Sequence, residues 1–149
     1  MSRPVWNERS AARANAHRVL PQMMAKYFAD VRKALKAKPS PANLHRVRLA
    51  SKRVRYTLEL FQPCYGRTFG ERMKALKDVQ TTLGDVSDAV TAEQLIVDAM
   101  PQSPRRKALR GYLRTRAAEK AEEFRVHWME QFDAAGQEKL WLEFLKGRG

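Results

Sequence analysis

The sequence predicts an all-α protein: a four-helix bundle with a short fifth helix near its C-terminal end. Apolar residues recur at three- and four-residue steps through four long segments, and no alternation of period two persists. Breaks containing proline or glycine separate these segments at residues 38–41, 61–66, 100–104 and 135–136. The 149 residues fit one domain, and a hydrophobic content of 44% is sufficient for a buried core.

The first helix is predicted at residues 10–36, after a loose lead-in at residues 1–9 that contains Trp6. The single domain then runs over residues 10–146. One apolar face of the first helix comprises Leu20, Met24, Tyr27, Val31 and Leu35. Pro21 within this run implies either a kink or a helix that begins near Leu20.

The second helix is predicted to begin at Pro41, with Ser40 as its cap, and to end before Pro63. The third helix is predicted at residues 69–99. Gly84 lies inside it, where glycine costs about 1 kcal/mol relative to alanine. We therefore expect either close approach of a neighbouring helix or a local bend at Gly84.

The fourth helix is predicted at residues 104–134, because Ser103 and Pro104 repeat the cap and first-residue pattern of the second helix. Its apolar positions include Leu109, Leu113, Ala117, Phe124, Trp128 and Phe132. A short amphipathic segment follows at residues 137–146. Its high apolar content predicts that it either folds back on the bundle or contacts another chain.

A row of cations is the most informative feature of the second helix. Residues 45–56 contain five Lys or Arg, one His and no acid, and Glu59 is the first acid to follow. At about 100° per residue, the row falls within an arc of roughly 80° and rises about 15 Å. Its members are His45, Arg48, Lys52 and Arg55. A solvated basic face normally has Glu interleaved at i,i+4, so this density of like charge indicates a multivalent anionic ligand.

The whole chain is basic, with a formal charge of +13 and a pI near 10.4. This balance indicates a polyanionic partner but leaves nucleic acid, anionic membrane and polyphosphate open. The single Cys64 excludes an intrachain disulfide and is consistent with a reducing compartment. Since no apolar run of 18 residues exists, we expect a cytoplasmic protein with no membrane partner.

Two motifs in the chain resemble the CHAD family (conserved histidine α-helical domain). The first is Leu44-His45-x-x-Arg48-x-x-x-Lys52-Arg53-x-Arg55-Tyr56-x-x-Glu59, and the second is Leu76-Lys77-x-x-Gln80-x-x-Leu83-Gly84-Asp85-x-x-Asp88. With the helix before them, they span roughly residues 10–98. The resemblance implies a helical module whose basic surface binds inorganic polyphosphate. The family pattern usually has two bundles, each with a basic helix, so this chain resembles half of such a domain.

The resemblance and the cationic row together predict a polyphosphate-binding site. Its candidate residues are His45, Arg48, Lys52, Arg53, Arg55, Tyr56, Lys74 and Lys77. We expect His45 to donate to a phosphate oxygen, and Tyr56 either to lie in the core or to place its hydroxyl at the rim. Asp85 and Asp88 are only a weak indication of a metal-binding site. We expect them to pair with arginines of the basic helix. No metal, cofactor or catalytic residue is predicted.

Three further expectations concern function and assembly. Nonspecific nucleic-acid binding is the alternative function, although no helix-turn-helix or base-reading arrangement is evident. An enzyme acting on polyphosphate or triphosphate is not expected, because the row lacks the carboxylates that hold catalytic metals.

A single bundle can rebuild a two-bundle site as a homodimer, with the C-terminal segment as a candidate contact. Association with polyphosphate or other storage granules is a further expectation.

Overall fold

The computed structural model describes residues 11–37 and 39–148, so the predicted lead-in with Trp6 lies outside the described residues. Within these residues the chain forms helices and no strand, which confirms the predicted all-α fold. The helices are α1 (Ala12–Lys36), α2 (Pro41–Leu60), α3 (Phe69–Ala99), α4 (Pro104–His127) and α5 (Gln137–Leu145). A 3-10 turn, Gln62–Cys64, follows α2, and a π-helical turn, Trp128–Phe132, follows α4.

The helix starts follow from local capping chemistry. The Ser40 hydroxyl accepts a hydrogen bond from the amide of Asn43 at 3.1 Å, and Ser103 accepts from the amide of Arg106 at 3.1 Å. A proline stands at the first helical position in each case, where its missing N–H has no intrahelical partner to lose. The predicted starts of α2 and α4 are therefore confirmed.

Helix α1 runs unbroken through Pro21, so a start near Leu20 is wrong. Pro21 removes one backbone hydrogen bond from the interior of the helix. Its ring is buried, and so are Leu20, Met24 and Phe28 on the same helix. Burial of this face stabilises α1 by more than the lost hydrogen bond costs.

The helices pack in a chain of neighbours: α1 contacts α2 and α5, α2 contacts α1 and α3, and α4 packs along α3. The core includes residues from α1, α2, α3, the π-helical turn and α5, but from α4 only Phe124 is buried. The distal part of the α3–α4 hairpin therefore lies outside this core. Of the expected apolar positions, Leu109 is exposed and Leu113 and Ala117 are only partly buried, because no third helix of the described residues covers the hairpin there.

The C-terminal segment folds back on the bundle, which is the first of the two predicted outcomes. Trp141, Phe144 and Leu145 of α5 are buried, and the hydroxyl of Tyr65 donates to the carbonyl of Leu145 at 3.0 Å. The guanidinium of Arg32 adds ion pairs to Asp133 at 2.6 Å and to Glu138 at 3.1 Å. The buried face of α5 is thus unavailable as the contact with a second chain.

A buried hydrogen bond between α1 and α2 fixes how α2 is rotated. The Tyr27 hydroxyl and the Ser51 hydroxyl lie 2.6 Å apart, with residue exposures of 2% and 0%. Ser51 donates its one proton to the carbonyl of Val47 at 2.8 Å, so Tyr27 donates to Ser51. Burial raises the pKa of Tyr27, so this hydroxyl stays a donor. The contact holds the face of α2 that carries Ser51 against α1.

We predict that Ser51→Ala lowers the free energy of unfolding by about 1–3 kcal/mol, since it leaves a buried tyrosine hydroxyl without a partner. Tyr27→Phe should cost less, about 1 kcal/mol, because Ser51 keeps its bond to Val47. The double variant should cost less than the sum of the two. Urea unfolding measures all three, with Tyr112→Phe, an exposed tyrosine, as the control. Additive losses would contradict a direct Tyr27–Ser51 bond.

Candidate functional site

Two arginines of α2 donate hydrogen bonds to neutral side chains of α3. Arg48 Nη1 donates to Ser87 Oγ at 2.9 Å, and Arg55 Nη1 donates to Gln80 Oε1 at 2.6 Å. Arg55 follows Arg48 by seven residues, whereas its partner Gln80 precedes Ser87 by seven residues. The two helices therefore run antiparallel along this edge. Because hydroxyl and amide oxygens accept without carrying charge, these bonds position the guanidinium groups and leave their charge uncancelled.

We call the surface along which α2 meets α3 the α2–α3 edge. It comprises His45, Arg48, Lys52 and Arg55 of α2 with Gln80 and Ser87 of α3. Lys52 is half-buried between the two arginines and forms no hydrogen bond or ion pair with any described residue. His45 is exposed at the start of α2. The structure therefore brings together four of the eight predicted site residues along one helix edge.

An open groove lies at the α2 N-terminal end of this edge. It has a volume of about 480 Å³, and His45, Arg48, Ser87 and Thr91 supply its polar lining. Leu44, Leu83, Val86 and Val90 supply the apolar part of the lining. The groove can accept a small anionic group beside the Arg48 guanidinium, at a helix start whose partial charge also favours anions.

The other end of the edge carries an acid. Arg55 Nε forms an ion pair with Glu59 at 3.0 Å, and the two side chains are 28% and 40% exposed. An i,i+4 pair this exposed contributes only about 0.3–0.5 kcal/mol. The expectation of a wholly uncompensated row is thus wrong at Arg55, because Glu59 lies one turn further along the same face of α2.

The remaining predicted site residues lie around the edge rather than on it. Tyr56 is 53% exposed, so it is not a core residue, and the Arg55 guanidinium lies 5.4 Å from its ring centroid. Arg53 is exposed and turned about 100° from Lys52 around the helix. Lys74 and Lys77 are exposed on α3, and Lys77 lies one turn before Gln80.

The expected pairing of Asp85 and Asp88 with arginines of α2 is wrong. Both aspartates are exposed and form no ion pair within residues 11–37 and 39–148. Ser87 occupies the side of α3 that faces α2, and neighbouring positions are turned away from it by about 100° per residue. Close approach of a neighbouring helix does not explain Gly84, since a Cβ there would meet no atom within 4 Å. The alternative, a local bend at Gly84, stays a prediction.

Two other properties of the described residues bear on chemistry. No group of three His, Cys, Asp or Glu side chains among them is arranged to hold a metal ion. None of the helices in the described ranges combines the length and the apolar content needed to cross a membrane.

Sequence reasoning missed the two acceptors on α3 and the cations of α4. Gln80 was part of the second motif without an assigned role, and Ser87 was not singled out. The signal that finds them is the shared seven-residue spacing, from Arg48 to Arg55 and from Gln80 to Ser87. A second run of cations, residues 105–116, contains six Lys or Arg and no acid, and this density is itself the signal that marks it.

Fold and site together define a small helical module with a cationic helix edge. A family model described as the CHAD domain matches residues 2–97, which is more than half of the chain, and the protein belongs to the CHAD family. The predicted resemblance is thereby confirmed. No curated protein and no solved structure matches the chain. The matched segment ends within α3, so α4 and α5 lie beyond it.

Proposed function

We propose that this protein is a non-catalytic binding module for inorganic polyphosphate, with a string of phosphate groups lying along the α2–α3 edge. The observation that carries the proposal is that Arg48 and Arg55 are held in line by neutral acceptors while Lys52 has no partner among the described residues. Membership of the CHAD family, a polyphosphate-binding family, supports the same ligand.

The chemistry of the edge suits a linear phosphate chain. Arginine can grip phosphate oxygens with two parallel hydrogen bonds, whereas lysine acts as a compact point charge. Alternating them along one helix edge offers contacts to successive phosphates. Affinity then comes mainly from summed charge and released counterions, so it should fall steeply as salt is raised.

The residues around the edge take secondary roles in this proposal. Lys74 and Lys77 extend the positive surface onto α3, Arg53 adds charge from the exposed face, and Tyr56 supports the Arg55 guanidinium through its ring. His45 donates to a phosphate oxygen within the groove. The expected cytoplasmic location of the protein, and its association with polyphosphate granules, are consistent with such a ligand.

Assembly as a homodimer stays a prediction. The chain carries one CHAD-type basic helix, and a two-fold pair would bring two copies of the α2–α3 edge into one site. The buried face of α5 does not serve as that contact. Light scattering of the full chain, with and without polyphosphate, measures the oligomeric state.

The first test reverses charge at the centre of the edge. Arg48→Glu/Lys52→Glu should abolish polyphosphate binding, because two cations become two anions facing the ligand. The control is Arg13→Glu/Lys139→Glu, which changes the net charge by the same amount. Both positions are exposed and lie in the first turns of α1 and α5, where an acid is favoured by the helix dipole. Binding is measured by calorimetry and folding by circular dichroism. A folded edge variant that binds like the control would refute the site.

The second test concerns His45. Imidazole changes its charge between about pH 5 and 8, and a bound polyanion favours the charged form. We therefore expect polyphosphate affinity of the wild type to rise from pH 8 to pH 6, and His45→Ala to lose most of that rise. His127→Ala, which alters a histidine outside the α2–α3 edge, is the control. Equal pH dependence in wild type and His45→Ala would contradict the role.

The third test uses the acid that pairs with Arg55. Glu59→Gln keeps an acceptor for Arg55 Nε but removes the negative charge beside it. Polyphosphate affinity should rise about two-fold, matching the roughly 0.3–0.5 kcal/mol scale of an exposed i,i+4 ion pair. The control is Glu123→Gln, which removes an exposed acid from α4 that pairs with Lys120. An equal gain in the two variants would show only the effect of net charge.

A further inference from the structure

The first half of α4 carries a second concentration of cations with few acids to neutralise it. Six Lys or Arg fall within residues 105–116, and Glu119 is the first acid after them. As in α2, the first turn holds no acid, although the positive end of a helix disfavours cations. No residue in this part of α4 is fully buried.

Four of these six cations line a defined groove, the α4 groove. It has a volume of about 530 Å³, and its lining includes Ser103, Arg106, Lys107, Arg110, Gly111 and Arg114. Gly111 supplies no side chain there, and a Cβ at this position would meet no atom within 4 Å. At Gly111 the groove is therefore open down to the backbone of α4.

Among the described residues, only one carboxylate pairs with the cations of the α4 groove. Glu93 of α3 accepts from Arg114 Nε at 2.6 Å and from Arg110 Nε at 3.4 Å. Arg106 donates its Nη2 to the carbonyl of Val97 at 3.2 Å, while its Nε is buried and has no hydrogen-bond partner in residues 11–37 and 39–148. Four cations against one carboxylate leave a net charge of +3 at this groove. A polyanion would supply the missing negative charge.

We infer that the α4 groove is a second contact site for the same linear polyphosphate, an inference that rests on the proposed function of the α2–α3 edge. Residues 83–91 of α3 contribute to the lining of the first groove, and arginines that line the second donate hydrogen bonds to α3 at Glu93 and Val97. The centres of these two parts of α3 are about 12 Å apart along the helix axis. Ser87 and Glu93 are also turned about 120° from each other around α3. A polyphosphate chain that contacts both grooves therefore has to span this turn as well as the axial separation.

The composition of the α4 groove favours phosphate over nucleic acid. None of the described residues that line it is aromatic, so these residues offer bases no stacking surface. The guanidinium groups of its arginines can bind phosphate oxygens through two parallel hydrogen bonds, and the ammonium group of its lysine adds a positive charge. The groove lies outside the segment that the CHAD model matches, and this second contact is therefore a property of this chain rather than of the motif.

Amide resonances of two glycines report on the two sites separately in the full chain. Gly84 lies on α3 between Gln80 and Ser87, and Gly111 lies in the α4 groove. We expect long-chain polyphosphate to shift both resonances in the wild type. In Lys107→Gln/Arg114→Gln it should shift Gly84 but no longer Gly111. The affinity of this variant should fall about ten-fold at physiological salt through the lost phosphate contacts.

Arg13→Gln/Lys139→Gln is the matched control, with the same loss of charge outside both grooves. The inference is overturned if Gly84 shifts without Gly111 in the wild type, or if both double variants lose affinity equally. It is also overturned if duplex DNA shifts Gly111 and polyphosphate does not, since the ligand of the α4 groove would then be nucleic acid. If polyphosphate shifts neither glycine, the proposed function fails as well.

Discussion

Two hydrogen bonds from arginines of α2 to neutral side chains of α3 are the interactions on which the account depends. Arg48 bonds to Ser87 and Arg55 to Gln80, so each guanidinium is fixed without meeting a carboxylate on the partner helix. On another face of α2, the buried Tyr27–Ser51 bond sets the rotation of the helix. A rigid edge of this kind is preorganised, because its cations need little further ordering when a ligand arrives.

Charge along the α2–α3 edge is not uniform. Near the start of α2, Arg48 lines an open groove with His45, and Lys52 has no partner among the described residues. At the other end, Glu59 occupies one side of the Arg55 guanidinium. The positive potential is therefore strongest near the helix start, where the helix dipole adds to it. We propose that a phosphate chain is held most tightly there and extends towards Arg55.

Much of this arrangement was predictable because local chemistry specifies it. Ser40, Pro41 and Pro63 bound α2 through capping and a missing N–H, and helical periodicity alone places Arg48, Lys52 and Arg55 on one edge. The CHAD motifs covered both α2 and its partner helix. These features need no knowledge of how distant segments pack.

What sequence reasoning missed depends on tertiary register. The acceptors Ser87 and Gln80 are set by how α3 lies against α2, and the same register turns Asp85 and Asp88 away from the arginines. Leu109 and Leu113 have the spacing of core residues, but periodicity does not say whether a covering helix exists. The cations of α4 were overlooked for a similar reason, since their significance rests on the groove and the single nearby carboxylate.

The central claim is that the α2–α3 edge recognises a linear chain of phosphates rather than negative charge in general. The most direct measurement titrates the protein with polyphosphates of graded chain length, in competition with duplex DNA, at about 0.15 M salt. The account predicts that affinity rises with chain length until the edge is filled, and that long polyphosphate displaces DNA. An affinity that does not depend on chain length, or DNA that displaces polyphosphate, would contradict it.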